Sequence, residues 1–175
     1  KLDEYMLNVP ESYDFEDKEV VLETKTQLEL ECLVNGEVMP IEAASDSMFA
    51  HKLMGDGIMI RPCDGVVVAP CDGVISMIYP TKHAMGITID DNTQILIHFG
   101  TDSAKLNGKG FELLVKPNQK VNAGDILWNA DLTYIKENAL DENIIVVFTK
   151  IKDGAEIEKK YGKMQCHDMM LRVKG

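Results

Sequence analysis

The residues between 79 and 102 constrain the fold more than any other part of the chain. Two runs rich in β-branched and apolar residues flank a polar Asp-Asp-Asn-Thr sequence, which is typical of a β-hairpin. Each run carries one histidine, His83 and His98. With Asp90 and Asp91 as the loop, counting outward places the histidines directly opposite each other, where Cβ atoms lie roughly 4.5–5.5 Å apart. The stretch therefore predicts two imidazoles on one face of an antiparallel sheet, unless a single bulged residue separates them.

His98 is the more informative of the two histidines. It lies within the apolar run Ile-Leu-Ile-His-Phe, where burying a polar ring costs free energy unless the ring is hydrogen-bonded. A strand histidine is more often a surface residue or a satisfied core residue than a functional group. Two histidines that the predicted register places opposite each other are harder to explain in this way. From the residues alone, a structural pair and a functional site are about equally supported.

Strand and turn signals on both sides of the hairpin predict the fold class. The sequence Pro-Cys-Asp-Gly-Val occurs at residues 62–66 and again at 70–74, and Asp-Gly is a tight-turn dipeptide. Residues 143–150 have the pattern of an apolar strand, whereas residues 131–139 place apolar side chains on one helical face behind an N-cap aspartate. This spacing indicates an all-β, antiparallel sandwich or flattened barrel with one or two short helices.

Charge and cysteine content argue against several classes of function. The net charge of −11 disfavours binding to nucleic acid or to an anionic membrane surface, because both select basic patches. No apolar run approaches the roughly 20 residues that a membrane helix needs, and no signal peptide is visible. The four cysteines lack Cys-x-x-Cys spacing, which favours free thiols in a reducing compartment. We therefore expect a cytoplasmic protein.

Several separate motifs, all in the expected order, resemble one protein family. Leu-Ile-His-Phe-Gly-Thr-Asp at residues 96–102 and Thr-Lys-His-Ala at 81–84 are similar to the signature of the glucose-type enzyme IIA of the bacterial phosphoenolpyruvate-dependent sugar phosphotransferase system. The similarity extends through residues 49–57, 68–73 and 106–111. The resemblance implies a duplicated hybrid motif, which is a β-sandwich or flattened barrel.

The resemblance also implies a domain organisation. It covers most of the chain, roughly from Gly36 to Lys152, and we expect the enzyme IIA domain at residues 35–175. Residues 1–34 show no match to the family. We expect this segment to be either a linker from a larger permease or an extra strand on the sheet.

The chemistry that the resemblance implies is phosphoryl transfer through a phosphohistidine. A neutral imidazole is a nucleophile near pH 7, because its unperturbed pKa is about 6.5. His98 matches the nucleophile, which would form a covalent phosphohistidine, and His83 matches a supporting hydrogen-bond donor. Thr81 would orient the His83 ring. The implied donor is the phosphocarrier protein HPr, and the implied acceptor is a cysteine on an enzyme IIB domain of a membrane sugar permease.

The resemblance further implies a partner-binding surface around the active histidine. An exposed apolar patch is the physical feature expected at such an interface. The residues that match its apolar rim are Phe49, Leu53, Met54, Met85 and Leu96. Asp46 and Asp102 match acidic positions beside the active site, where negative charge would raise the energy of the phosphorylated state.

Two other functions compete with the phosphoryl relay. A zinc metallopeptidase of the lysostaphin type shares the duplicated hybrid architecture, but catalytic zinc takes three protein ligands, and the chain has four histidines and no His-x-His pair. A non-enzymatic regulatory module would use the same apolar rim to bind other proteins. The relay needs no cofactor, although zinc bridged by His83, His98 and a partner carboxylate is an expectation by analogy with the family.

Overall fold

The histidine hairpin forms part of a large antiparallel sheet. A computed structural model describes residues 27–175. The strands of this region are β1 (Gln27–Glu31), β2 (Gly36–Pro40), β3 (Gly57–Pro62), β4 (Val66–Val68), β5 (Gly73–Ile78), β6 (Ala84–Asp90), β7 (Thr93–Thr101), β8 (Phe111–Leu113), β9 (Lys120–Val121), β10 (Ile126–Ala130), β11 (Asp141–Lys150), β12 (Glu156–Lys159), β13 (Gly162–Met164) and β14 (Met169–Lys174). Its α-helices are α1 (Ser47–Ala50) and α2 (Leu132–Asn138), and single 3-10 turns lie at Ile41–Ala43 and Ser103–Leu106.

The strands form three antiparallel sheets in a sandwich-like arrangement. The largest has eight strands in the order β13-β2-β3-β11-β7-β6-β5-β9. The two smaller sheets have the orders β4-β10-β8 and β1-β14-β12. The prediction of an all-β antiparallel fold with short helices is therefore confirmed.

The two faces of the large sheet carry different apolar clusters. Along β7, Ile95, Ile97 and Phe99 belong to the main core, together with Trp128 from β10. The intervening β7 residues point to the opposite face, as alternation along a strand requires. We call the smaller cluster on that face the second cluster, and it consists of Ile41, Phe49, Met59, Ala84, Leu96, Ile145 and Val147.

The segment 41–50 covers part of the second cluster. Its helix α1 begins after Asp46, whose carboxylate accepts a hydrogen bond from the Met48 backbone at 2.8 Å, as an N-cap residue does. This cap directs Phe49 inwards onto the sheet, where it is buried. Helix α2 begins in the same way after Asp131, which confirms the helix predicted at residues 131–139.

The first strand lies within residues 1–34, the segment in which the motifs show no resemblance to the family. Residues 27–31 form β1, which pairs with β14, and Leu30 is fully buried in the main core. Residues 1–26 lie outside the described part of the chain. Within residues 27–175, neither helix has the length and apolarity needed to span a membrane.

Candidate functional site

The hairpin between β6 and β7 forms in a different register from the predicted one. Asp90 pairs with Thr93, and the register shifts between Thr88 and Asp90, so that Ala84, not His83, lies opposite His98. Two features set this register. The loop lies one residue further along the chain, at Asp91 and Asn92, where the Asp90 carboxylate accepts a hydrogen bond from the Asn92 backbone at 2.8 Å; this alone would shift the pairing by two residues and keep the same faces. The irregularity between Thr88 and Asp90 takes back one residue, and this bulge turns the strand face. The predicted loop at Asp90 and Asp91 is therefore wrong.

His83 nevertheless reaches the face that carries His98. It lies immediately before β6 and follows Lys82, whose φ of 61° is in the left-handed region. This conformation interrupts the alternation of side chains that a continued strand would impose. The two imidazole ring centroids are 4.9 Å apart, with an interplanar angle of 85°. The two predicted histidines are therefore in contact, but the contact results from the conformation of Lys82 and not from the predicted strand register.

Backbone hydrogen bonds hold His83 on both sides. The His83 carbonyl accepts from the Phe99 backbone at 2.7 Å, and the Lys82 N–H donates to the Tyr79 carbonyl at 2.8 Å. The Lys82 carbonyl accepts a hydrogen bond from Nε1 of Trp128, also at 2.8 Å. Lys82, the left-handed residue before His83, is thus held by hydrogen bonds at both its N–H and its carbonyl.

The His83 ring is oriented by Thr81, as its predicted role requires. The Thr81 hydroxyl lies 2.7 Å from Nδ1 of His83, and the Tyr79 ring packs edge-on against the imidazole at 5.4 Å. His83 is buried, and this burial lowers its pKa, although a hydrogen bond to the Thr81 backbone opposes the change. Nε2 is the ring nitrogen that Thr81 does not engage.

His98 is half-buried, and its ring is neutral at pH 7. The Phe49 ring lies 5.0 Å from the imidazole on the second-cluster side. Burial is the main cause that lowers the His98 pKa to about 4, and the neighbouring His83 lowers it further. The negative charges of Asp46 and Asp141 act in the opposite direction. A neutral imidazole keeps a lone pair that can attack an electrophile.

Asp141 is a site residue that the sequence did not reveal. Its carboxylate accepts hydrogen bonds from the Thr101 hydroxyl at 2.8 Å, the Ser45 hydroxyl at 3.1 Å and the Asn143 backbone at 3.0 Å. These contacts connect the end of β7, which carries His98, with the residue that precedes Asp46. An aspartate at the start of an apolar strand carries no local signal of this role.

The two predicted acidic residues have different surroundings. Asp46 is half-buried at the start of α1, and its charge acts on His98. Asp102 is exposed, has a φ of 57° and forms an ion pair with Lys105 at 3.0 Å. Both lie close in sequence to residues that contact His98 or its strand, but Asp46 and Asp141 are the carboxylates whose charge affects the His98 pKa.

The predicted apolar rim is only partly exposed. Leu53 is 66% exposed and Met54 is half-buried, so both are accessible to a partner. Phe49 and Leu96 are buried in the second cluster and form the floor of the site. Met85 is fully buried in the main core on the other face of the sheet, and its assignment to the rim is wrong.

Two further exposed apolar side chains border the same site, and neither was predicted from the sequence. Met48 precedes Phe49 and is 47% exposed. Leu140 precedes Asp141 and is 66% exposed, and its backbone N–H donates to the Thr101 carbonyl at 3.0 Å. Neither residue belongs to a motif quoted for the family, and exposure of a single apolar residue is not readable from a sequence.

The remaining histidines do not join the site. His51 is exposed, and Nδ1 of the exposed His167 lies 3.1 Å from the Glu31 carboxylate. Among residues 27–175, no group of three or more His, Cys, Asp or Glu side chains is arranged to hold a metal ion. The zinc expected at His83 and His98 therefore stays a prediction that requires a ligand from another protein.

Comparison with known proteins identifies the family. Residues 28–154 match the family model described as phosphoenolpyruvate-dependent sugar phosphotransferase system, EIIA 1. Because this match covers well over half of the chain, the protein belongs to that family of phosphotransferase-system components.

Two individual relatives agree with the family match. The chain is 43% identical over 141 residues to the PTS system glucose-specific EIICBA component of Staphylococcus carnosus, covering 81% of this chain and 21% of that protein. It is also similar to the structure of glucose permease IIA from Mycoplasma capricolum, with a TM-score of 0.80, 31% identity, and coverage of 83% of this chain and 95% of that one. The chain thus spans about a fifth of the length of its curated relative.

Proposed function

We propose that this domain relays a phosphoryl group in sugar uptake through a phosphohistidine at His98. The observation that carries the proposal is the contact between His98 and His83, with ring centroids 4.9 Å apart, in a pocket that keeps His98 neutral. A lone pair on the His98 ring attacks the phosphorus of phospho-HPr, and the phosphorus–nitrogen bond of the donor breaks. A cysteine thiolate of an enzyme IIB domain then attacks the phosphorus, and the bond between His98 and phosphorus breaks.

The other site residues have distinct roles in this proposal. In this proposal Nδ1 of His83 accepts a hydrogen bond from the Thr81 hydroxyl, which leaves the proton of the neutral ring on Nε2, and Nε2–H donates to a phosphoryl oxygen. Transfer of this kind depends mainly on positioning and charge stabilisation. Asp46 and Asp141 place negative charge near the phosphorylated ring, which raises its energy and favours onward transfer.

The proposed docking surface around His98 combines exposed apolar side chains with neighbouring acidic residues. Leu53 and Met54, together with Met48 and Leu140, supply accessible apolar area around the site. Asp102 adds negative charge at its edge, and the chain as a whole carries a net charge of −11. A partner with a complementary apolar patch bordered by basic residues would fit this surface.

Mass spectrometry of the intact protein tests the relay directly. The protein is incubated with phosphoenolpyruvate, enzyme I and HPr, and the expected result is one added phosphoryl group on His98. The His98→Ala variant should stay unmodified, whereas His51→Ala, which changes an exposed histidine, should be modified normally. A phosphoryl group that persists in His98→Ala contradicts the proposal. An unmodified wild-type protein that still binds HPr would instead support the protein-binding module as its function.

A further inference from the structure

Trp128 is the single tryptophan of the chain and lies outside the histidine site. It belongs to β10 of the small sheet β4-β10-β8, and it is fully buried. Its ring packs edge-on against Phe99 at 5.8 Å, on the main-core side of the strand that carries His98. A buried indole N–H requires a hydrogen-bond acceptor, because leaving this donor unpaired is unfavourable.

The acceptor of the Trp128 N–H is informative. It is the carbonyl of Lys82, at 2.8 Å, and Lys82 is the left-handed residue that directly precedes His83. A left-handed conformation is unfavourable for lysine, because its Cβ crowds the backbone. Such a conformation persists only where surrounding contacts impose it. The hydrogen bond from Trp128 is one of those contacts.

The conformation of Lys82 decides where the His83 side chain points. In the observed register, Ala84 lies opposite His98, so a regular strand would turn the preceding side chain to the main core. The left-handed residue reverses this and keeps the His83 ring beside His98. Fixing the Lys82 carbonyl fixes the peptide plane that connects it to His83.

We propose that Trp128 is a positioning residue for phosphoryl transfer, which acts from the main core through the Lys82–His83 peptide to hold the His83 ring beside His98. The inference rests on the proposed function for its kinetic consequence. Its structural part, the dependence of the His83 orientation on the indole N–H, is independent of that function. Phenylalanine at position 128 keeps an aromatic ring in the core but has no donor, so Trp128→Phe isolates the hydrogen bond.

Single-turnover transfer from phospho-HPr measures the kinetic consequence. Trp128→Phe should lower the maximal transfer rate about tenfold, since small displacements of a catalytic group have effects of this size or larger. The concentration of phospho-HPr at half-maximal rate should stay within twofold, because Trp128 is buried away from the rim. The matched control is Phe111→Leu, which alters the same aromatic cluster next to Phe99 and does not touch the Lys82 carbonyl. This control should transfer within about twofold of wild type.

A double-mutant cycle separates positioning from a general loss of structure. In a His83→Ala background, Trp128→Phe should change the rate by less than about twofold, because the group that it positions is gone. An equal reduction in both backgrounds, or no reduction in either, would overturn the inference. Circular dichroism melting establishes that each variant is folded at the assay temperature.

Nuclear magnetic resonance provides a readout that does not depend on transfer. In Trp128→Phe, the ¹⁵N and ¹H signals of the His83 ring should shift and broaden, whereas those of the exposed His51 should stay unchanged. Unchanged His83 signals would refute the positioning role even if the proposed function holds. If these signals shift in Trp128→Phe but the wild-type protein accepts no phosphoryl group, the proposed function is refuted. The dependence of the His83 orientation on the indole N–H of Trp128 is then still supported.

Discussion

The low pKa of His98 predicts a specific loss of stability in acid. The His98 pKa is about 4 in the folded protein, compared with 6.5 as its ordinary value. Below pH 6.5 the unfolded chain therefore binds a proton at this position that the folded protein does not. The free energy of unfolding must then decrease as the pH falls from about 6.5 towards 4, and it is fully available above that interval.

The structure sets the size of this effect. Each unit between the two pKa values corresponds to about 1.4 kcal/mol, so His98 should remove up to about 3 kcal/mol of stability at pH 4. The partial exposure of the ring places the measured value at or below this figure, because solvent screens the cost of charging it. The burial of His83 lowers its pKa as well and adds a loss of the same sign.

Urea denaturation at pH values from 7.5 to 4.5 tests this prediction. Wild type and His98→Gln are compared at each pH, so that groups present in both proteins largely cancel. We expect the advantage of wild type over the variant to shrink as the pH falls. A wild-type-minus-variant difference that stays flat across this range would refute the reasoning. A His98 titration midpoint above pH 6, measured by nuclear magnetic resonance, would also refute it.

Three further predictions concern other parts of the structure. Lys82→Asn should raise the melting temperature, because asparagine tolerates the left-handed conformation and relieves up to about 1 kcal/mol of strain. Gly57→Ala should destabilise the fold by roughly 3 kcal/mol or more in urea, since a Cβ there would lie 1.8 Å from the Val146 carbonyl oxygen. Asp141→Asn should lower the His98 pKa further and shift the equilibrium with phospho-HPr about two- to threefold towards the phosphorylated domain, measured by titration and by quantitative mass spectrometry.

Regular elements were predictable from the sequence because their signals are local. The helix behind Asp131 has an N-cap and an apolar face, and β11 is a continuous apolar run. The pairing of His83 and His98 on one face was also predicted. The helix and the strand depend on side-chain periodicity and on capping chemistry, which adjacent residues determine. The contact between the histidines, in contrast, arises from the left-handed Lys82 and not from the predicted register.

The errors have one common cause, which is the register of the hairpin. A shift of one residue turns every side chain of a strand to the other face. In the predicted register Met85 shares a face with His98, whereas in the observed register it belongs to the main core. His83 does not turn to the main core in the same way, because Lys82 adopts a left-handed conformation. Neither the bulge between Thr88 and Asp90 nor the hydrogen bond from Trp128 to the Lys82 carbonyl is visible without the tertiary structure.

The contacts of Asp141 were unpredictable for a related reason. Its hydrogen bonds reach Ser45 and Thr101, which are distant in the sequence and belong to different elements. A carboxylate at a strand end has no preferred partner until the chain has folded. Roles that depend on such long-range contacts require the structure, even where the family is recognisable from its motifs.

The balance of charge around His98 suits a relay better than a store of phosphoryl groups. Burial and His83 keep the ring neutral, so that under the proposed function its lone pair is available whenever phospho-HPr docks. Once phosphorylated, the same ring would carry negative charge beside Asp46 and Asp141, whose attraction for a proton becomes repulsion for a phosphate. The two carboxylates therefore raise the pKa of the free ring and, in the proposed relay, destabilise the phosphorylated ring. Under the proposed function, this repulsion favours release of the phosphoryl group to the acceptor, which a carrier between two protein partners requires.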